Sequence, residues 1–180
     1  EPLYKQALEM RQKLLGTGHP DIATSLNNLA GLYRSQGRYE EAEPLYKQAL
    51  KMRQKLLGTE HPDVANNLNN LALLYNIQGR YEEAEPLYKQ ALAMFQKLLG
   101  TEHPDVATSQ FNLGTLYHKQ GKYPAADVLY RQSLAIANAK LGPNHPLTSK
   151  IQGWFDSLPH SGPSNQSSNA SPAKDSSPAS

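Results

Sequence analysis

Four histidines, each followed by proline, are the residues in this chain whose type most invites chemistry: His19, His61, His103 and His145. Imidazole ligates zinc and moves protons near neutral pH, so a cluster of histidines would form a metal centre or an acid–base site. The spacing argues against both. Each histidine lies 42 residues from the next. Equivalent positions of stacked repeats sit roughly 10 Å apart, too far for one ion held by bonds of about 2 Å. Each histidine is better read as a joint residue beside a helix start. The carboxylates Glu40 and Glu41 open a helical run, where the positive end of the helix dipole accounts for them. The chain has no phosphate-cradling glycine loop, no H-E-x-x-H pair and no G-x-S-x-G elbow. It also has no cysteine, so disulfides, thiolate metal sites and cysteine nucleophiles are excluded. These residues predict no enzyme, no metal and no cofactor.

The elements that position them repeat. Glu-Pro-Leu-Tyr begins at Glu1, Glu43 and Glu85, with a degraded copy at Asp127, and Gly-Arg/Lys-Tyr recurs at Gly37, Gly79 and Gly121. Within one period, Ile22, Leu26, Leu29, Ala30 and Tyr33 fall on one stripe of a helix, here called helix A. After Gly37 a second stripe follows, through Ala42, Leu45, Tyr46, Ala49, Leu50, Arg53, Leu56 and Leu57, with only the stem of Arg53 apolar; this is helix B. Pro20 suits the first position of helix A, where no backbone donor is lost. Pro44, near the end of the first turn of helix B, costs at most about one helical bond. A helix pair this short cannot bury its stripe alone, so stacked pairs must share a core, with Leu26, Leu29, Leu45 and Leu50 inside.

The period predicts a partial repeat at 1–16 (helix B only), repeats at 17–58, 59–100 and 101–142, a degenerate capping helix at 143–159 and a tail at 160–180. Leu147, Ile151, Trp154, Phe155 and Leu158 keep helical spacing in the cap, and Pro159 stops it. The tail is Ser, Asn, Pro and Ala with almost no apolar mass, so it is expected to be disordered. Its Asn165-Gln-Ser and Asn169-Ala-Ser match a glycosylation acceptor, and Ser171-Pro172 and Ser177-Pro178 match a phosphorylation pattern, matches that arise by chance in such tails. Because the chain opens in mid-repeat, its true N-terminus and any targeting signal are expected upstream.

The unit Leu29-Ala30, Tyr33, Gly37, Tyr39, Ala42, Tyr46 and Ala49 resembles the tetratricopeptide family. Its longer period, with His-Pro-Asp-Val-Ala, Leu-Asn-Asn-Leu-Ala and Glu-Ala-Glu-Pro-Leu-Tyr, is similar to the repeats of kinesin light chain and its bacterial relatives. The resemblance implies an all-α, right-handed superhelical solenoid of antiparallel helix pairs. It also implies that helix A lines a concave groove that binds a protein or peptide, and that the chain is a cytoplasmic interaction scaffold.

On that face the outward positions are Thr24, Asn66 and Thr108; Asn27, Asn69 and Phe111; Asn28, Asn70 and Asn112; Gly31, Leu73 and Thr115; Arg34, Asn76 and His118; and Ser35, Ile77 and Lys119. An amide offers both donor and acceptor, so Asn28, Asn70 and Asn112 are expected to grip successive peptide units, or else to bond neighbouring helices. At about 1 kcal/mol net per hydrogen bond, three amides leave binding near the millimolar level, so apolar anchors are needed, and Leu73, Ile77 and Phe111 are the candidates. The alternative for those three is packing between A helices. Arg34, His118 and Lys119 make the groove mildly basic.

Composition bounds the partners. Eighteen Lys and Arg stand against 16 Asp and Glu, for a formal net charge of +2, far from the field needed to neutralise many phosphates, so nucleic acid is not expected. No apolar run approaches the roughly 20 residues that span a bilayer, so no membrane is expected either. A protein or peptide ligand remains, with self-association through the open N-terminal edge as a second possibility. In the alternative, the chain is an assembly or regulatory segment of a larger signalling protein or enzyme, acting through the edges of its solenoid.

Overall fold

The computed structural model describes residues 1–16 and 18–159. Among them are eight helices and no strand: α1 (Pro2–Leu15), α2 (Pro20–Ser35), α3 (Tyr39–Leu57), α4 (Pro62–Ile77), α5 (Tyr81–Leu99), α6 (Pro104–Lys119), α7 (Tyr123–Lys140) and α8 (Pro146–Asp156). The even-numbered helices are of type A and the odd-numbered of type B. The expected tail at 160–180, with its sequence motifs, lies outside the described residues.

Each A helix begins the same way. The Nδ1 atoms of His19, His61 and His103 accept the backbone N–H of Asp21, Asp63 and Asp105 at 3.1–3.3 Å, and His145 does the same for Leu147 at 3.2 Å. Proline fills the first helical position behind each histidine, where its missing donor costs nothing. The histidines are therefore N-caps, and the repetition that suggested a metal cluster is the repetition of this cap. Among the described residues, no three His, Cys, Asp or Glu side chains gather to hold an ion.

The turn from A to B is equally regular. The backbone N–H of Arg38, Arg80 and Lys122 bonds back to the carbonyl of Tyr33, Tyr75 and Tyr117, each at 2.9 Å. The glycine inside that loop, at 37, 79 or 121, has φ near +75°, where a Cβ would be strained. Pro44 lies beyond the first turn of α3 and removes one helical bond without ending the helix.

Each A helix packs on the B helix that follows it, and each B helix packs in turn on the next A helix. The shared core holds Leu29, Ala30, Tyr33, Tyr46, Leu71, Ala72, Leu74, Tyr75, Tyr88, Leu113 and Leu116. Leu26 and Leu29 are buried, whereas Leu45 and Leu50 are only partly so, packed at the margin of the core. Burial of each leucine in the core contributes roughly 1.5–3 kcal/mol.

Every ladder of stacked pairs needs an end. In α2 and α4 the face toward the following B helix carries Ala23 or Ala65, Leu26 or Leu68, and Ala30 or Ala72, all buried. In α8 the same positions are Ser149, Gln152 and Asp156, all exposed. The opposite side of α8 stays apolar and lays Ile151, Trp154 and Phe155 on α6 and α7, with Leu158 joining them from beyond the helix, which ends at Asp156 and not at the expected Pro159. A helix apolar on one side and polar on the other is able to close a stack.

Candidate functional site

The A helices run side by side and present one face together. Their side chains are tied across the gaps by amides. Asn70 Nδ2 donates to Asn27 Oδ1 at 3.1 Å, Asn67 Nδ2 donates to the same oxygen at 3.3 Å, and Asn112 Nδ2 donates to Asn69 Oδ1 at 3.3 Å. Part of the amide ladder therefore bonds helix to helix. Asn28, on the first A helix, and Asn66 are exposed, while Asn70 and Asn112 are half-buried. An amide that spends one N–H on a neighbour keeps its other N–H and its carbonyl oxygen, so these side chains retain capacity toward a ligand.

The third rung differs. The position held by Asn27 and Asn69 is Phe111 on α6, and the position of its partner is Trp154 on α8. Both belong to one apolar cluster, so apolar packing replaces the amide pair where α8 docks. Phe111 is 3% exposed and lies 5.9 Å, ring to ring, from Tyr130. The expectation that Phe111 anchors a ligand in the groove is corrected here: a large apolar ring beside an apolar cap is drawn into the core. Asn69, at 9% exposure, and Asn76, at 2%, are likewise within the stack and not on its open face. Of the expected anchors, Ile77 is 40% exposed, and Leu73 is half-buried against the core.

Beneath the A helices lie the phenols of the B helices. Tyr46, Tyr88 and Tyr130 are fully buried, and burial pushes all three phenols above their ordinary range. The charge of Arg34, which lines the same cavity as Tyr46, offsets part of that rise at Tyr46. At the other end of the face, His118 meets Tyr123 and Trp154 edge to face, at centroid distances of 5.4 and 5.3 Å. His118 is thereby engaged with α7 and α8, and Lys119 beside it is exposed.

The face opens into a cavity of about 470 Å³ at its first complete repeat, lined by Asn27, Asn28, Gly31, Arg34, Ser35 and Asn70 from the A helices and by Tyr4 and Tyr46 from the B helices. Tyr4 and Tyr46 were absent from the groove positions expected from the sequence. For Tyr46 the signal was Gly31, the smallest residue at a position held elsewhere by Leu73 and Thr115, which leaves the buried phenol as the floor of the cavity. Arg53, placed by the sequence on the inward stripe of helix B, is engaged along its whole length. Its whole side chain is buried at 7% exposure, and it bonds the Asp63 carbonyl at 2.9 Å, Asn67 Oδ1 at 2.5 Å and Thr24 Oγ1 at 3.2 Å. It fastens α3 beneath two A helices, and three neutral acceptors hold its charge.

The tetratricopeptide repeat family model matches residues 1–55, 21–97 and 63–139. This chain belongs to the tetratricopeptide repeat family. Its similarity to solved members covers 86% of the chain. It is 32% identical to BtubC (BKLC) from P. vanneervenii, with a TM-score of 0.71, and spans 66% of that chain. It is 31% identical to a Podosopora anserina putative kinesin light chain with nearly identical repeats, with a TM-score of 0.67, and spans 73% of that chain. The N-terminal domain of stress-induced protein-1 from C. elegans, at 18% identity and a TM-score of 0.53, shares the fold. Compared with curated proteins by sequence, the chain has no significant match. Tetratricopeptide arrays are protein–protein interaction scaffolds. Among the described residues no helix is long and apolar enough to cross a membrane.

Proposed function

We propose that this tetratricopeptide array holds an extended peptide, or a peptide-like segment of a partner protein, along the face formed by α2, α4 and α6, and that it is a scaffold and not a catalyst. The observation that carries this reading is the open cavity on that face, lined by amides with unspent donors and acceptors. Asn28, Asn70 and Asn112 meet main-chain groups of the ligand, whatever its sequence. Amides alone leave binding near the millimolar level, so Leu73 and Ile77, four residues apart on α4, serve as the apolar anchor. A stiff stack presents these groups with little reorganisation, which limits the entropy lost on binding.

A selection from a random linear-peptide library tests it. Asn28, Asn70 and Asn112 changed together to Ala should lose the enriched peptides, and so should Leu73 and Ile77 changed together to Ser, with both variants still melting cooperatively. If both variants bind as the parent does, the face is not the binding surface.

A further inference from the structure

All four A helices start on an imidazole that accepts a backbone N–H, yet one start differs from the other three. At α2, α4 and α6 the capped residue is an aspartate, whose Oδ2 stands 3.8, 3.9 and 3.5 Å from Nδ1 of His19, His61 and His103. At α8 the capped residue is Leu147, and the first turn of the helix holds no acidic side chain. The acids of the neighbouring joint are already engaged. Glu102 pairs with Lys140 of α7 at 3.1 Å, and Asp105 stands beside His103. The other cation on α8, Lys150, lies over the ring of Phe111. At the far end of the helix, Arg131 of α7 pairs with Asp127 and stacks on Phe155.

Imidazole is the side chain that changes charge between about pH 5 and 8. The cap uses Nδ1 as an acceptor, which only the neutral ring offers. Protonation of His145 turns that atom into a donor facing another donor, the Leu147 N–H, and sets a cation at the positive end of the helix dipole. Both effects oppose the capped helix, so the cap is complete above the titration and lost as pH falls through it. At the other three starts the aspartate meets the new charge with an ion pair. A second imidazole, His118, touches α8 edge to face at Trp154. It lies in the last turn of α6, where the dipole favours a cation, but its Nδ1 is shielded and without a partner, which opposes one. These two effects offset each other at His118.

We propose that α8 is a pH-sensitive closure of the array: protonation of His145 releases its N-cap, loosens α8 from α6 and α7, and bares the apolar surface beneath it at Phe111, Leu134 and Ala137. The helix is suited to open alone. It has 11 residues where each other A helix has 16, and it packs on α7 and α6 with its outer side in solvent. Elements held on one side open at lower free energy than those held on both. The inference is independent of what the face of the A helices binds.

Hydrogen exchange of the whole chain tests it, with the emission of Trp154, the sole tryptophan and a residue of α8, as a second reading. Between about pH 7.5 and about pH 5.5, after correction for the intrinsic exchange rate, opening of α8 should rise about ten-fold. Trp154 emission should move to the red over the same range. Opening of α2, α4 and α6 should change less than about three-fold. His145→Ser keeps a capping oxygen that does not titrate, so the pH dependence of α8 should vanish while the helix stays docked. Leu147→Asp should bring the dependence down to that of the other A helices; the ratio of the two pH values is read, so the lost apolar contact of Leu147 cancels. His118→Gln should leave the dependence in place. Equal opening of α8 at both pH values overturns the closure. So does a dependence that survives His145→Ser, one that disappears in His118→Gln, or a Leu147→Asp variant that responds as steeply as the parent.

Discussion

Arg80 Nη1 lies 2.6 Å from Glu43 Oε2, thirty-seven residues earlier in the chain, and its guanidinium stands 4.0 Å over the ring of Tyr75. The same arginine grips Glu83 through two bonds of 2.7 Å, and Glu43 also takes Tyr75 Oη at 3.0 Å and Lys47 Nζ at 2.6 Å. This network joins one helix pair to the next. It recurs as Glu1, Tyr33, Arg38 and Glu41.

The network makes stability depend on acid. Burial by itself would raise the Glu43 carboxyl, but hydrogen bonds from Arg80, Lys47 and Tyr75 outweigh it and hold the group down at about 2. A carboxylate depressed in the folded state adds stability that is full above the unfolded value of 4.5 and is lost as pH falls toward 2. Urea midpoints measured across that window should fall steeply for the parent and less steeply for Glu43→Gln. Equal slopes would mean that the carboxylate is not held by its partners in solution.

The third joint is weaker than the first two. Lys122 replaces the arginine and reaches Glu85 at only 3.6 Å, and Ala125 stands where Glu41 and Glu83 pair. Lysine lacks the planar fork that serves two carboxylates at once. The pair Lys122→Arg and Ala125→Glu should raise the melting temperature by roughly 1–3 °C, and neither change alone should do so as well. Calorimetry of the three variants checks it.

Two glycines in A helices should respond in opposite ways to alanine. At Gly114 a Cβ would lie 2.7 Å from Tyr130 Cε1 and 2.9 Å from Cδ1, so Gly114→Ala should cost about 1–3 kcal/mol in overpacking. At Gly153 nothing lies within 4 Å of the added atom, and Gly153→Ala should stabilise by about 0.5–1 kcal/mol through helix propensity. Chemical denaturation reads both.

Replacing a capping histidine removes a helix cap and nothing else. His61→Ala should cost about 1 kcal/mol, and the loss should be the same with or without a chelator. A melting temperature of the parent that drops on adding chelator would revive the metal reading.

The amide rungs are open to a double-mutant cycle. Asn27→Ala and Asn70→Ala should be coupled by about 0.5–1 kcal/mol in stability. Zero coupling would mean that the two side chains are not bonded to each other in solution.

Fold and period were legible in this sequence because both are local and repeated. Hydrophobic spacing placed the helices, and His-Pro and Gly-Arg/Lys-Tyr marked their ends, since caps and turns need particular residues within a few positions. The groove was legible only as a set of outward positions. Which of them stay open depends on what packs across the gap between helices, and that is set by residues 42 or 43 positions away. Phe111 occupied an outward position yet went inside, because α7 brings Tyr130 and α8 brings Lys150 over its ring. Asn69 and Asn76 were drawn inward by the same stacking. The stem of Arg53 was legible as part of the helix B stripe, but not the acceptors for its charge, which the A helices above it supply from three separate residues. At Gly31 a missing side chain leaves the buried phenol of Tyr46 as the floor of the cavity. By itself the sequence determined the helices, their caps and their stacking order, because those follow from contacts between near neighbours in the chain. Only the tertiary structure decided which polar groups remain unpaired and accessible, because burial is a property of the assembled stack.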